Sequence, residues 1–149
     1  MEEKFYTSTE AAEITNCSRR QLQYWREKGV IVPTVNASGK GRNVYYSKAD
    51  LLALTAMEYL LSMGLNFEVC QQILVTLKTR ESWLFHESLS EGQMKRFMVL
   101  LDTNKHDLQL VDFDGKLALE NIYNGFSVVC FWSDRIYQRL QEHLRNYVS

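Results

Sequence analysis

"SRRQLQYWREKGVI", residues 18–31, concentrates four basic residues (Arg19, Arg20, Arg26, Lys28), one acid (Glu27) and two adjacent aromatics (Tyr24, Trp25). Ser18 is a favoured N-cap and Gly29 a favoured helix stop, so the stretch predicts a helix running to Lys28. On that helix Leu22 and Trp25, three apart, face inward. Arg19, Gln23 and Arg26, spaced i, i+4, i+7, share an exposed stripe flanked by Arg20 and Tyr24. Arg and Gln reach base edges or phosphates, and a Tyr hydroxyl suits a phosphate oxygen. Just upstream, Ser8 followed by Glu10 and Glu13 predicts a capped short helix over residues 9–15, with Asn16 and Cys17 as a tight turn. Two short helices joined by such a turn make a helix-turn-helix.

Working outward, residues 30–33 (Val-Ile-Val-Pro) leave the second helix as an extended segment. "NASGKGRNVYYS", residues 36–47, has Gly39 and Gly41 around Lys40 and then an apolar run, which predicts a β-hairpin with a basic tip. Ser47 caps a third helix over residues 48–63, and Gly64 ends it. Asn66 caps a fourth, with Phe67, Cys70, Ile73, Leu74 and Leu77 on one face. After Arg80 the character changes. Residues 96–113 read as two strands joined at Asn104-Lys105, residues 126–132 as a buried strand, and residues 117–123 as a short helix stopped by Gly125. The tail, residues 134–148, places Ile136, Leu140, Leu144 and Tyr147 on one side of an amphipathic helix.

The chain has 149 residues and a net charge of -1, but the charge is unevenly spread. Residues 17–48 hold seven basic side chains and one acid, whereas residues 81–149 hold seven basic side chains against ten acids. A local basic patch on an otherwise acidic chain suits a polyanion without making the whole surface adhesive. The first residues lack the apolar core of a signal peptide, and no apolar run approaches membrane-spanning length. Three cysteines, Cys17, Cys70 and Cys130, lie far apart without CxxC spacing, which suits a reducing, cytoplasmic setting. No P-loop, GxSxG or HExxH motif is present, so the expectation is a protein that is not an enzyme. Asp102, Asp107, Asp112 and Asp114 sit at strand ends, where carboxylates are commonly solvated. The cysteines read as core residues, and His86, His106 and His143 have no partner at metal-ligand spacing, so neither metal nor cofactor is expected.

At this point residues 5–77 resemble the DNA-binding domain of the MerR family of bacterial transcription regulators. "YTSTEAAEITNCSRRQLQYWREKGVI" is similar to the family's Tyr-Thr start, Glu-x-Ala helix, Ser-x-Arg-x-Leu stretch and Tyr-aromatic pair before Gly. "GKGRNVYYSKADL" resembles its basic wing leading into an Asp-Leu helix, and "LLSMGLNFEVCQQIL" its turn into the last helix of the module. The resemblance implies a winged helix-turn-helix that binds double-stranded DNA as a homodimer on an inverted repeat. It implies DNA contacts from Arg19, Arg20, Gln23 and Tyr24 on the helix and from Lys40, Arg42, Asn43 and Tyr45 in the wing; Ser18 at the helix start and Arg26 in the exposed stripe are assigned to the same DNA-binding surface, and Tyr46 reads equally as core or contact. The family usually has Arg at the place of Gln23 and an acid at the place of Arg26. Gln still suits adenine, so a different base preference is expected.

The family's long dimerising helix has no counterpart in residues 78–101, which contain Gly92 and no sustained heptad. The expected fold class is therefore α+β: a winged domain over residues 1–79 and a compact α/β tail over residues 80–149, with a small antiparallel sheet and an amphipathic last helix. Dimerisation is assigned to the tail's apolar residues Phe126, Val128, Cys130, Trp132, Ile136, Leu140, Leu144 and Tyr147; the alternative is that they form only the monomer's second core. The functional expectation is a homodimeric repressor that denies a promoter to RNA polymerase. Its overall build also resembles the small repressors of cyanobacterial type V-K CRISPR–transposon systems. Two alternatives stand beside it: an excisionase-like architectural factor that bends DNA, and a regulator whose α/β tail senses a small ligand.

Overall fold

The computed structural model describes residues 4–36, 44–85, 95–102 and 107–148. Packing divides the chain into two units, Met1–Leu89 together with Ile136–Ser149, and Ser90–Arg135. The class is mixed helix and sheet, as expected.

In the first unit, α1 (Ser8–Thr15) starts one residue earlier than the sequence predicts, with Thr7 rather than Ser8 as its cap. The reason is spacing: a capping box needs a side-chain acceptor such as Glu or Gln three residues beyond the cap, and Glu10 stands there relative to Thr7, whereas Ala11 would stand there relative to Ser8. The Glu10 amide donates to Thr7 Oγ1 at 3.2 Å, and the Thr7 amide donates to Glu10 Oε1 at 3.0 Å. Asn16 turns the chain with a left-handed φ of 63°, a conformation Asn tolerates better than most residues. Ser18 then caps α2 (Arg19–Glu27) through a second box with Gln21, at 3.0 and 2.9 Å. Gly29, at φ 72°, ends that helix as predicted.

The hairpin forms as β1 (Val35–Asn36) and β2 (Val44–Tyr45), antiparallel, with Val35 opposite Tyr45 and Asn36 opposite Val44. Tyr6 adds a third short partner by exchanging two backbone hydrogen bonds of 2.8 Å with Tyr46. Residues 37–43 lie outside the described residues. Next, α3 (Lys48–Ser62) is capped by a box between Ser47 and Asp50. Asp50 Oδ2 also accepts from the Thr34 amide at 2.8 Å and the Thr34 hydroxyl at 2.7 Å. One carboxylate oxygen thus starts a helix and anchors the root of the hairpin. Asn66 caps α4 (Phe67–Arg80), and a single 3-10 turn at Ser82–Phe85, not foreseen from the sequence, buries Leu84. Leu22 and Trp25 of α2, Leu51 and Leu54 of α3, and Ile73 and Leu74 of α4 are buried in this unit.

The final helix, α6, spans Ser133–Val148. The structure groups most of it with the first unit, unlike the division at residue 80 drawn from the sequence. Arg139 pairs with Glu58 of α3 and its guanidinium lies 5.0 Å from the Tyr59 ring. The Tyr147 hydroxyl donates to Glu10 of α1 at 3.3 Å.

In the second unit, β3 (Arg96–Asp102) is the central strand of an antiparallel sheet of order β4-β3-β5, with β4 at Asp107–Asp112 and β5 at Ser127–Trp132. Val99 faces Leu110 on one side and Val129 on the other. Here α5 (Gly115–Tyr123), capped by Asp114, lays Leu117 and Ala118 on Met98, Leu100, Val111 and Val128. The expectation that residues 126–132 form a buried strand is corrected: β5 is a sheet edge, and Phe131 is its one buried residue. The buried strand is β3. Both runs are apolar, and composition alone does not say which acquires a partner on each side.

Candidate nucleic-acid interface

Helix α2 buries Leu22 and Trp25, both 2% exposed, and leaves Gln21 and Arg26 half-buried. Arg19, Arg20, Gln23, Tyr24, Glu27 and Lys28 are all exposed. They form two rows at i, i+4 spacing: Arg19, Gln23 and Glu27 in one, Arg20, Tyr24 and Lys28 in the other. In the first row the Gln23 side-chain amide donates to Glu27 Oε1 at 3.1 Å. In the second, Lys28 Nζ lies 5.7 Å from the Tyr24 ring centroid, and that ring meets Phe67 of α4 edge-on at 5.4 Å. Phe67 therefore fixes the tilt of a residue assigned to DNA contact, a role the sequence reading missed.

Electrostatically, α2 runs against the pattern of its neighbours. The first turns of α1, α3, α4 and α6 carry Glu10, Asp50, Glu68 and Asp134, as the positive end of a helix dipole favours. The first turn of α2 carries Arg19 and Arg20 instead and no acid. Among the described residues neither arginine has a hydrogen bond or ion pair. Two cations at the positive end of a helix destabilise it by about 0.3–1 kcal/mol each. That arrangement gains from an anion brought from outside, which finds the dipole and two guanidinium groups together.

Arg26 departs from its expected place in the exposed stripe. It is half-buried, and its Nε donates to Asn36 Oδ1 of β1 at 2.8 Å, so it braces the hairpin root against α2. The position that continues the Arg19–Gln23 row is Glu27. A sequence stripe drawn at i, i+4, i+7 has an equally good partner at i+8, and the choice falls to what stands beside the helix. Ser18 is exposed, but its hydroxyl accepts from the Gln21 amide as a cap. In the hairpin Tyr45 is 38% exposed whereas Tyr46 is 1% exposed, so Tyr46 is core. Burial also raises the Tyr46 phenol above its ordinary range, partly offset by the nearby positive charge of Arg26. Lys40, Arg42 and Asn43 lie outside the described residues.

Elsewhere the expected sites separate. Ile136 and Leu140 are buried within the single chain, Val128 packs in the second unit's core, and Phe126 and Leu144 are half-buried. Trp132, 40% exposed, carries the Arg96 guanidinium at 4.0 Å from its ring. Tyr147 is 38% exposed. Cys17 and Cys70 are buried, which pushes each thiol up to about 11. Cys130, expected in the core, is exposed because β5 is an edge. No group of three or more His, Cys, Asp or Glu side chains among the described residues is placed to hold a metal ion. No helix among them is long and apolar enough to cross a membrane. His86 and His106 lie outside the described residues, as does the turn at Asn104-Lys105.

The chain is similar over residues 6–76 to the family described as MerR HTH family regulatory protein. The likeness is to a MerR-type helix-turn-helix domain. The matched stretch takes in both rows of α2, strands β1 and β2, and all but the last turn of α4. Over 62 residues the chain is also 34% identical to an uncharacterized HTH-type transcriptional regulator of Mycobacterium bovis and to two of Mycobacterium tuberculosis. That match covers 41% of this chain and 28% of each relative, so it spans less than a third of their length.

Proposed function

We propose that the chain is a sequence-specific, double-stranded DNA-binding transcription regulator, a homodimeric repressor that occupies an inverted repeat in a promoter. The observation that carries this reading is the exposed face of α2, with Arg19 and Arg20 at its positive end. In each subunit α2 lies in a major groove, with Arg19, Arg20 and Gln23 toward base edges and Tyr24 and Lys28 toward phosphate. Tyr45 of the hairpin reaches the flanking backbone. Repression needs nothing beyond occupancy: a promoter filled by two such domains denies RNA polymerase its contacts. The names of the relatives speak of transcription regulation and not of CRISPR–transposon systems, and that association forms no part of the proposal.

The test is a footprint on DNA flanking the protein's own gene, at physiological salt with scrambled competitor present. The expected result is one protected inverted repeat over a promoter. Arg20→Ala should weaken binding there by about 1–3 kcal/mol, the worth of one good base contact. Several adjacent protected sites filled cooperatively would favour an architectural, excisionase-like factor instead. Protection that scrambled DNA abolishes would reduce the interface to general charge attraction and contradict the proposal.

A further inference from the structure

The row Arg19–Gln23–Glu27 contains an acid on a surface otherwise offered to a polyanion, and that acid is engaged. Gln23 Nε2 donates to Glu27 Oε1 at 3.1 Å across one helical turn. The two ends of a carboxamide differ: one oxygen accepts and one nitrogen carries two N–H groups. A carboxylate can only accept, so Glu27 admits only the nitrogen end of Gln23 and fixes which way round the amide stands. The carbonyl oxygen and the second N–H are left for another partner. Adenine in the major groove presents a matching pair, an N6 donor beside an N7 acceptor.

We propose that Glu27 is a positioning residue that locks the carboxamide of Gln23 as a reader of adenine. This rests on the reading of α2 as the DNA-contacting helix. Glu27 need not touch a base. Its negative charge lowers attraction to phosphate slightly, and in exchange Gln23 reaches DNA already oriented. Arg19, one turn before Gln23, and Arg20 beside it supply affinity and base contacts of their own; the Gln23–Glu27 pair supplies discrimination at one further base pair.

The experiment selects preferred sites from a randomised double-stranded DNA library with the full chain. It then measures affinity for the selected site and for versions with each other base pair at every position. Wild-type protein should prefer A·T by about tenfold or more at one position per half-site, and Gln23→Ala should abolish that preference. Glu27→Gln is the decisive variant, because a second amide accepts or donates and no longer dictates the orientation of Gln23. It should cut the same preference several-fold while affinity for scrambled DNA stays level or rises. In the Gln23→Ala background, Glu27→Gln should produce no further change in base preference. Both side chains are exposed, and thermal melting should be unchanged. An unaltered adenine preference in Glu27→Gln would overturn the inference, as would a changed cytosine preference that persists without Gln23, since Glu27 would then read cytosine N4 itself. If Arg19→Ala and Arg20→Ala leave DNA affinity unchanged, the underlying reading of α2 fails; if they weaken it while Glu27→Gln is silent, only this inference fails.

Discussion

Arg26 and Arg20 are both arginines of one helix, yet they have different work. Arg20 is exposed and, among the described residues, without a hydrogen bond or ion pair, whereas Arg26 donates to Asn36 at 2.8 Å. Arg26→Ala should lower folding stability by about 1 kcal/mol, measured by urea unfolding, with Asn36→Ala close behind. Arg20→Ala should leave stability unchanged or raise it slightly, because it removes a cation from the positive end of α2. Sequence spacing showed the two arginines as members of one patch; the difference came from Asn36, ten residues away on another element. The cysteines make a similar contrast. A thiol reagent applied to the native protein at neutral pH should label Cys130 and spare Cys17 and Cys70, whose buried thiols are pushed up to about 11. Mass spectrometry of peptides checks this, and rapid labelling of Cys17 would show that the core around α1 and α3 is open.

Caps and stops decided the elements, and they were the most legible features of the sequence. Ser18, Ser47 and Asn66 cap α2, α3 and α4 as read, and Gly29, Gly64 and Gly125 carry the positive φ values that end helices. Each of these signals is local, a side chain answering a backbone group within three residues. Thr7 was misread because Ser8 beside it is an equally good cap residue and only the position of Glu10 decides between them. Thr7→Ala should therefore destabilise the chain by about 1 kcal/mol, and Ser8→Ala hardly at all. The same box gives a pH dependence. The Thr7 amide, chiefly, holds the Glu10 carboxyl below its ordinary range, against a smaller opposing effect of burial. Its contribution is therefore present above the ordinary carboxylate range and lost as pH falls through the lowered value. Unfolding curves of wild type and Glu10→Gln should differ near neutrality and converge in acid. What local signals did not disclose was lateral order. That β3 and not β5 is central follows from pairing across the sheet, and nothing within either run encodes it.

For the molecule as a whole, the charge distribution and three motif blocks made the N-terminal domain readable, while the place of α6 was not. Its periodicity announced an amphipathic helix but not the surface that would receive it. The structure shows that surface through Arg139 on Glu58 and Tyr59, and Tyr147 on Glu10. Leu140, 0% exposed, should on replacement by Ala cost about 2–5 kcal/mol and weaken DNA binding only through the fraction unfolded. Added DNA carrying the protected repeat should raise the melting temperature, because it binds the folded state alone. The central claim is that the outward face of α2 recognises one DNA sequence. Its most direct test is the ratio of affinities for the protected repeat and for scrambled DNA, measured at physiological salt for wild type and the Arg19→Ala/Arg20→Ala double variant. The account predicts that the ratio falls by about tenfold or more in the variant while its fold and melting behaviour persist. An unchanged ratio would place recognition elsewhere on the chain and contradict it.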